Sequence, residues 1–217
     1  MGSVLGELLP FALGVAISPI PIIGAILMLL GKHARTTSIG FAVGWVLGIV
    51  VATTIFVFLG GAMGDSGSSG SAWIKLGLGI VLLVVGLRQW RGRGGEHPTP
   101  KWMRAVDEMR PPTALGLGFA LSAVNPKNLV MCVAAGVSIG SAALSAGSDV
   151  ALVAIFSALA ATTVVIPVLA YQIAAERLRE PLDRLKVWLQ DNNATVMAVL
   201  ILVIGVVLIG KGISGLG

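Results

Sequence analysis

Charge is scarce in this chain, and cysteine and histidine are nearly absent. Only 12% of its 217 residues are Asp, Glu, Lys or Arg, about half the roughly 25% of an ordinary soluble domain. That is too little polar side chain to cover a water-soluble particle of this length. The single cysteine, Cys132, excludes an internal disulfide and a dithiol electron carrier. His33 and His97 stand alone, and no residues show metal-ligand spacing. No phosphate-cradling P-loop and no Ser-His-Asp set is evident, so the chain is expected to be neither an enzyme nor a cofactor carrier. What is abundant is apolar: 56% hydrophobic residues and a mean hydropathy of +0.94. The class implied is an all-α integral membrane protein. The net charge of +5 would suggest nucleic acid in a soluble chain. In a membrane chain it points to basic cytoplasmic loops, so no nucleic-acid partner is expected.

A spanning helix needs about 20 mostly apolar residues. Segments 8–30, 36–64, 111–148, 150–175 and 192–210 satisfy this, with Lys127 the one charge inside them. The apolar stretch at 71–90 is shorter, but Lys75 and Arg88 can snorkel and Trp73 and Trp90 can anchor it at the interfaces. Six transmembrane helices are therefore expected. Twelve basic residues fall in the loops on one side: Lys32 and Arg35; Arg88, Arg91, Arg93, Lys101, Arg104 and Arg110; Arg177, Arg179, Arg184 and Lys186. Lys75 and Lys211 fall on the other. The positive-inside rule makes the first side cytoplasmic and puts the N-terminus and C-terminus outside. The absence of a basic residue before the first apolar run makes it a poor cleaved signal, so it is read as a retained helix. Asp65–Ser71 (DSGSSGS) reads as a flexible outer loop.

Both long cytoplasmic linkers have helical patterns. Thr99-Pro100 can start a short helix with Trp102, Met103, Val106 and Met109 on one face, and Leu178, Leu182, Leu185 and Leu189 recur at helical spacing. Both helices are expected in the inner headgroup layer. They either tie down loops or contact acidic lipids or cytosolic lipid-synthesis enzymes.

The halves resemble each other. Ala52-Thr53-Thr54-Ile55 matches Ala161-Thr162-Thr163-Val164 at an offset of 109, and Ser18-Pro19 matches Asn125-Pro126 at an offset of 107. Three crossings are an odd number, so the second copy enters from the opposite face and the repeats are inverted. The organisation expected is a first three-helix repeat at 1–90, a linker at 91–112, and a second repeat at 113–217 with an amphipathic helix near 176–190. Gly40, Gly44 and Gly48, and again Gly136 and Gly140, form small-residue ridges. These serve packing within one subunit or a homo-oligomer contact.

Ser18-Pro19-Ile20-Pro21 and Asn125-Pro126-Lys127-Asn128 lie about 14 residues into segments one and four, near mid-bilayer. Ser and Asn are favoured N-caps and Pro suits the first helical position. Pro19, Pro21 and Pro126 therefore predict that segments one and four are broken into half-helices. The new N-termini carry partial positive charge. Lys127 adds a full charge that costs at least about 2.5–3.5 kcal/mol against lipid, and no Asp or Glu lies within 8–30 or 111–148. An anionic substrate group near Lys127, Asn125, Asn128 and Ser18 is one reading; a lysine held by backbone carbonyls is the other. Thr53, Thr54, Thr162 and Thr163 can bond substrate, the freed carbonyls of the broken helices, or their own helix.

These features, Ser18-Pro19-Ile20-Pro21, Asn125-Pro126-Lys127-Asn128, the six-helix plan and the basic central linker, resemble the LysE exporter superfamily over nearly the whole chain. Within it the likeness is to the GAP family, which includes sulfolipid-addressing and glycopeptidolipid-addressing proteins of actinobacteria. The resemblance implies a bacterial plasma-membrane protein that moves, or helps move, an anionic lipid or glycolipid to the cell surface. Amino-acid exporters of the superfamily more often carry Gly-Pro-Gly-Pro at the first site, where this chain has Ser18 and Ile20. That departure favours the lipid branch over an amino-acid-like solute. A non-transporting assembly protein for envelope lipid synthesis is the other class. A cavity open to the bilayer would favour lipid, and a closed polar pocket a solute.

Overall fold

The computed structural model describes residues 1–62, 68–92, 106 and 109–216. Their regular structure is helical throughout: α1 Gly2–Ala16, α2 Pro19–Leu30, α3 Ala34–Ala62, α4 Ser68–Gly92, α5 Pro111–Ala123, α6 Pro126–Gly140 and α7 Ala146–Ser214. The helix α4 thus begins inside the DSGSSGS stretch that reads as loop, since serine is favoured at a helix start.

The first and fourth apolar segments are both broken, as expected. The helices α1 and α2 meet at 52°, and α5 and α6 at 63°. Proline alone does not break a helix here, because Pro10 sits inside α1. The breaks come where the residue before proline is extended: Ser18 at ψ 113° and Asn125 at ψ 119°. Proline disfavours the helical region for its predecessor. The helices α3, α7 and the Ala72–Gly92 stretch of α4 are long and apolar enough to cross a membrane, and each bent pair qualifies when its halves are taken together. The protein is an all-helical membrane protein.

The 69 residues of α7 would run about 100 Å if straight, three times the hydrocarbon thickness. Ala174 leaves helical geometry (φ −133°, ψ 45°). Ile166 and Leu185 line one cavity, although a straight helix would hold them roughly 29 Å apart. The chain therefore folds back at Ala174. The helix expected near 176–190 is present, and its leucine face packs on protein. Leu182 and Leu189 are buried, and with Leu185 they close over Ile22, Ile26 and Pro167. The fold-back gives that face protein to pack on. The other linker helix falls mostly outside the described residues; Val106 and Met109 are buried in the core.

Glycine sets the spacing of the bundle. A Cβ on Gly44 would lie 1.9 Å from the Leu115 carbonyl oxygen, and one on Gly40 2.6 Å from that of Pro111. Lower on the same contact, Gly48 rests on Ser122, and Gly118 of α5 rests on the Phe41 carbonyl. Gly136 and Gly140 of α6 lie on the backbone of α3 at Thr53 and Val57. Both ridges are therefore occupied within the subunit, and neither is free for a homo-oligomer contact. The van der Waals gain of such close approach drives helix association where lipid removes the hydrophobic drive.

A side chain at Gly44 must push α3 off α5. Gly44→Ala is expected to cost at least about 1–3 kcal/mol, read as a lower thermal midpoint in detergent. Gly116→Ala, where a Cβ meets open space, is expected to leave the midpoint unchanged or raised.

Candidate functional site

Each break leaves backbone groups without their helical partners, which hydrocarbon cannot satisfy. Side chains take them up. The Thr163 hydroxyl, from α7, donates to the Ala16 carbonyl at the end of α1. Asn128 Nδ2 donates to the Leu121 carbonyl at 2.9 Å, across the gap between α5 and α6. Asn125 caps α6, its Oδ1 accepting from the Lys127 amide at 3.1 Å. Ser18 holds the equivalent position before α2 but makes no side-chain cap, and its buried Oγ has no partner. Pro19 and Pro126 occupy the first helical positions, and Pro21 lies in the first turn of α2.

Lys127 follows on the first turn of α6. It is 5% exposed, and its Nζ has no hydrogen-bond partner. The lysine is thus not held by backbone carbonyls. Its charge sits where the helix dipole is also positive. A buried unpaired cation of this kind calls for an anion. Asn128 Oδ1 is likewise buried and unpartnered.

The breaks are connected through their neighbours. A Cβ on Gly14 of α1 would sit 3.2 Å from Met131 Sδ of α6. Thr53 of α3 is buried beside the Cys132 thiol of α6, with no oxygen or nitrogen partner for its hydroxyl. The four threonines divide. Thr53 and Thr163 face the broken helices. Thr54 lines a lateral cavity; Thr162, donating to Leu159 of its own helix, lines both a lateral cavity and, with Thr163, the cavity over Ile22 and Ile26 of α2. The hydroxyl that meets a buried group of a broken segment is the first of the pair in α3 and the second in α7. One residue step rotates a side chain by about 100°, so an offset of 109 does not carry the facing over.

Two features escape sequence reasoning. Lys75 is buried and paired, with Nζ 3.1 Å from Glu7 Oε2. Lys211 Nζ lies 3.9 Å from the same oxygen and 5.5 Å over the Phe11 ring. This cluster ties α1, α4 and the end of α7 together, and only the sign of the charges on either side of the bundle hinted at it. Asp149 Oδ1 and Ser157 Oγ are also buried without partners. No group of three His, Cys, Asp or Glu able to hold a metal occurs among the described residues.

A protein-family model, described as Sap, sulfolipid-1-addressing protein, matches residues 8–214, nearly the whole chain. No curated protein and no solved structure matches it.

The capture of Ala16 by Thr163 is a long-range bond, whereas Thr162 bonds its own helix. Thr163→Val is expected to lower stability by about 1–3 kcal/mol, and Thr162→Val by less than about 0.5 kcal/mol. Denaturation of both variants in the same detergent measures the difference.

Proposed function

The chain belongs to the sulfolipid-1-addressing protein family, and from that premise we propose that it exports an anionic lipid or glycolipid across the bacterial plasma membrane. In this reading α7 supplies two crossings, one on each side of Ala174. With α3, α4 and the two bent pairs these make six, arranged as two inverted three-helix repeats of LysE type with both termini outside. The bend at the same place in each half and the side-chain capture of a freed carbonyl at each bend support the repeat.

The observation that carries the reading is Lys127: a buried ammonium without a partner, on the first turn of a half-helix that begins within an apolar segment. A sulfate, phosphate or carboxylate would meet the ammonium and the helix N-terminus together. Asn125, Asn128 and Ser18 line the same breaks. The cavities between helices favour lipid over an amino-acid-like solute. They are lined almost wholly by apolar side chains and flanked by exposed residues such as Val43, Leu47 and Val150. The chemistry asks for no cofactor and no covalent step, so the protein acts as a carrier and not as an enzyme.

A second reading, an assembly protein that recruits lipid-synthesis enzymes, is favoured by the exposed Val187 and Trp188 beside Arg184 on the linker helix.

Liposomes holding the purified protein, with a fluorescent anionic lipid confined to one leaflet, test both. Lys127→Met is expected to slow transfer by about ten- to hundredfold, the worth of hydrogen bonds to a charged group. Undiminished transfer by a normally inserted variant removes Lys127 from the site, and a wild-type protein that moves no lipid overturns the exporter reading. A wild-type protein that moves no lipid but retains a synthesis enzyme on the vesicle supports assembly.

A further inference from the structure

One face of α3 is pressed onto α5 and α6 by the glycine contacts. Its opposite face packs beside the first half of α7, and the surface between the two helices is grooved. Three cavities of about 350, 450 and 310 Å³ lie between them. The first shares Val50 and Ala154 with the second, and the second shares Val46 and Val165 with the third. They form one crevice, from Phe58 and Asp149 at one end to Ile39 and Leu169 at the other. Along α3 that is roughly 29 Å, close to the ~30 Å of bilayer hydrocarbon. Exposed rims at Leu47 and Phe58 on one side and Val150 and Leu169 on the other open it to lipid. Inside a membrane such a crevice is filled, because its apolar walls hold no water and an empty gap forfeits dispersion contacts.

The lining is not uniformly apolar. Asp149 lies in the mouth, beside Thr54, with its Oδ1 buried and unpartnered. Ser157 lies in the middle cavity, 4% exposed, with its Oγ unpartnered. Eight residues of helix separate them, roughly 12 Å, and about 18 Å of crevice follows from Ser157 to Leu169, apolar but for Thr162, whose hydroxyl donates to the Leu159 carbonyl. A carboxyl oxygen accepts a hydrogen bond and a serine hydroxyl can donate one. The occupant therefore presents a donor at the mouth, then an acceptor, then hydrocarbon.

We propose that the crevice between α3 and the first half of α7 seats one ester lipid whose headgroup bears hydroxyls. The hydroxyls donate to Asp149, an ester carbonyl accepts from Ser157, and an acyl chain runs on toward Leu169. The inference rests on the lipid reading above for the nature of the cargo. It adds where that cargo lies against the protein before or after it meets Lys127.

Native mass spectrometry of the full chain tests it. The protein is titrated with dioleoylphosphatidylglycerol, with dioleoylphosphatidylmethanol, which lacks the headgroup hydroxyls, and with the ether analogue of phosphatidylglycerol. One saturable lipid is expected, held about five- to tenfold more tightly with the hydroxyls than without and similarly with the ester than with the ether. Asp149→Ala is expected to erase the first preference alone, and Ser157→Ala the second alone. Ala158→Trp, or Ala158→Leu should the larger variant not fold, is expected to weaken binding at least about tenfold. Val206→Trp, on an exposed part of α7 away from the crevice, is expected to leave it unchanged. Equal binding of all three lipids overturns the proposal, as does equal weakening by Val206→Trp and Ala158→Trp, which marks annular lipid only. Binding does not depend on transfer. If the wild-type protein transfers no lipid while the crevice variants lose their lipid, the exporter reading falls and the seat stands. The reverse result removes the seat alone.

Discussion

Hydrocarbon gives a backbone nothing to bond to, and this protein breaks two of its apolar segments. Every carbonyl freed at the breaks needs a donor from elsewhere in the fold. Thr163 and Asn128 supply two of them, one from a distant helix and one from across the break itself. Holding Thr163 against Ala16 places the first half of α7 beside the α1–α2 bend. Placing α3 close enough for Gly136 to rest on the Thr53 carbonyl does the same for α6. The positions of Lys127, Thr53 and Ser18 follow from those two attachments.

The same attachments divide α3 into a tight face and a loose one. A helix that lays glycines on its neighbours' backbones along one side is fixed there, and its far side carries the crevice beside α7. At the end of the bundle carrying Glu7, a half-buried carboxylate shared by Lys75 and Lys211 joins α1, α4 and the end of α7. Such a pair fixes arrangement more than it adds stability, since desolvation offsets much of the attraction. Breaking it by removing one partner would strand a charge.

The breaks were legible in the chain because proline acts on its immediate predecessor, a local effect of covalent geometry. Apolar length gave the membrane class, and spaced glycines announced close packing. The fold-back at Ala174 had no proline or glycine signal, only the end of the charge-free run at Ala175. Tyr171-Gln172-Ile173-Ala174-Ala175 contains neither proline nor glycine, and alanine is the best helix former. The kink there comes from packing of the leucines at 182 and 189 onto α2. The threonine pairs were visible as candidates, but which member of each faces the broken helices depends on helix rotation, and rotation is set by neighbours.

Residue order alone therefore gave the solvent of this protein, the sites of its two mid-membrane breaks, and the presence of one amine among residues that cannot neutralise it. These depend on properties a residue carries into any fold: transfer free energy, ring closure and charge. Assembly of the helices gave the partners. It placed Lys75 on Glu7, assigned the glycine ridges to α3, α5 and α6, parted Thr53 from Thr54, and left open the crevice holding Asp149 and Ser157. Those outcomes depend on contacts between residues tens to hundreds of positions apart, and no local rule of sequence encodes which of several apolar faces will meet.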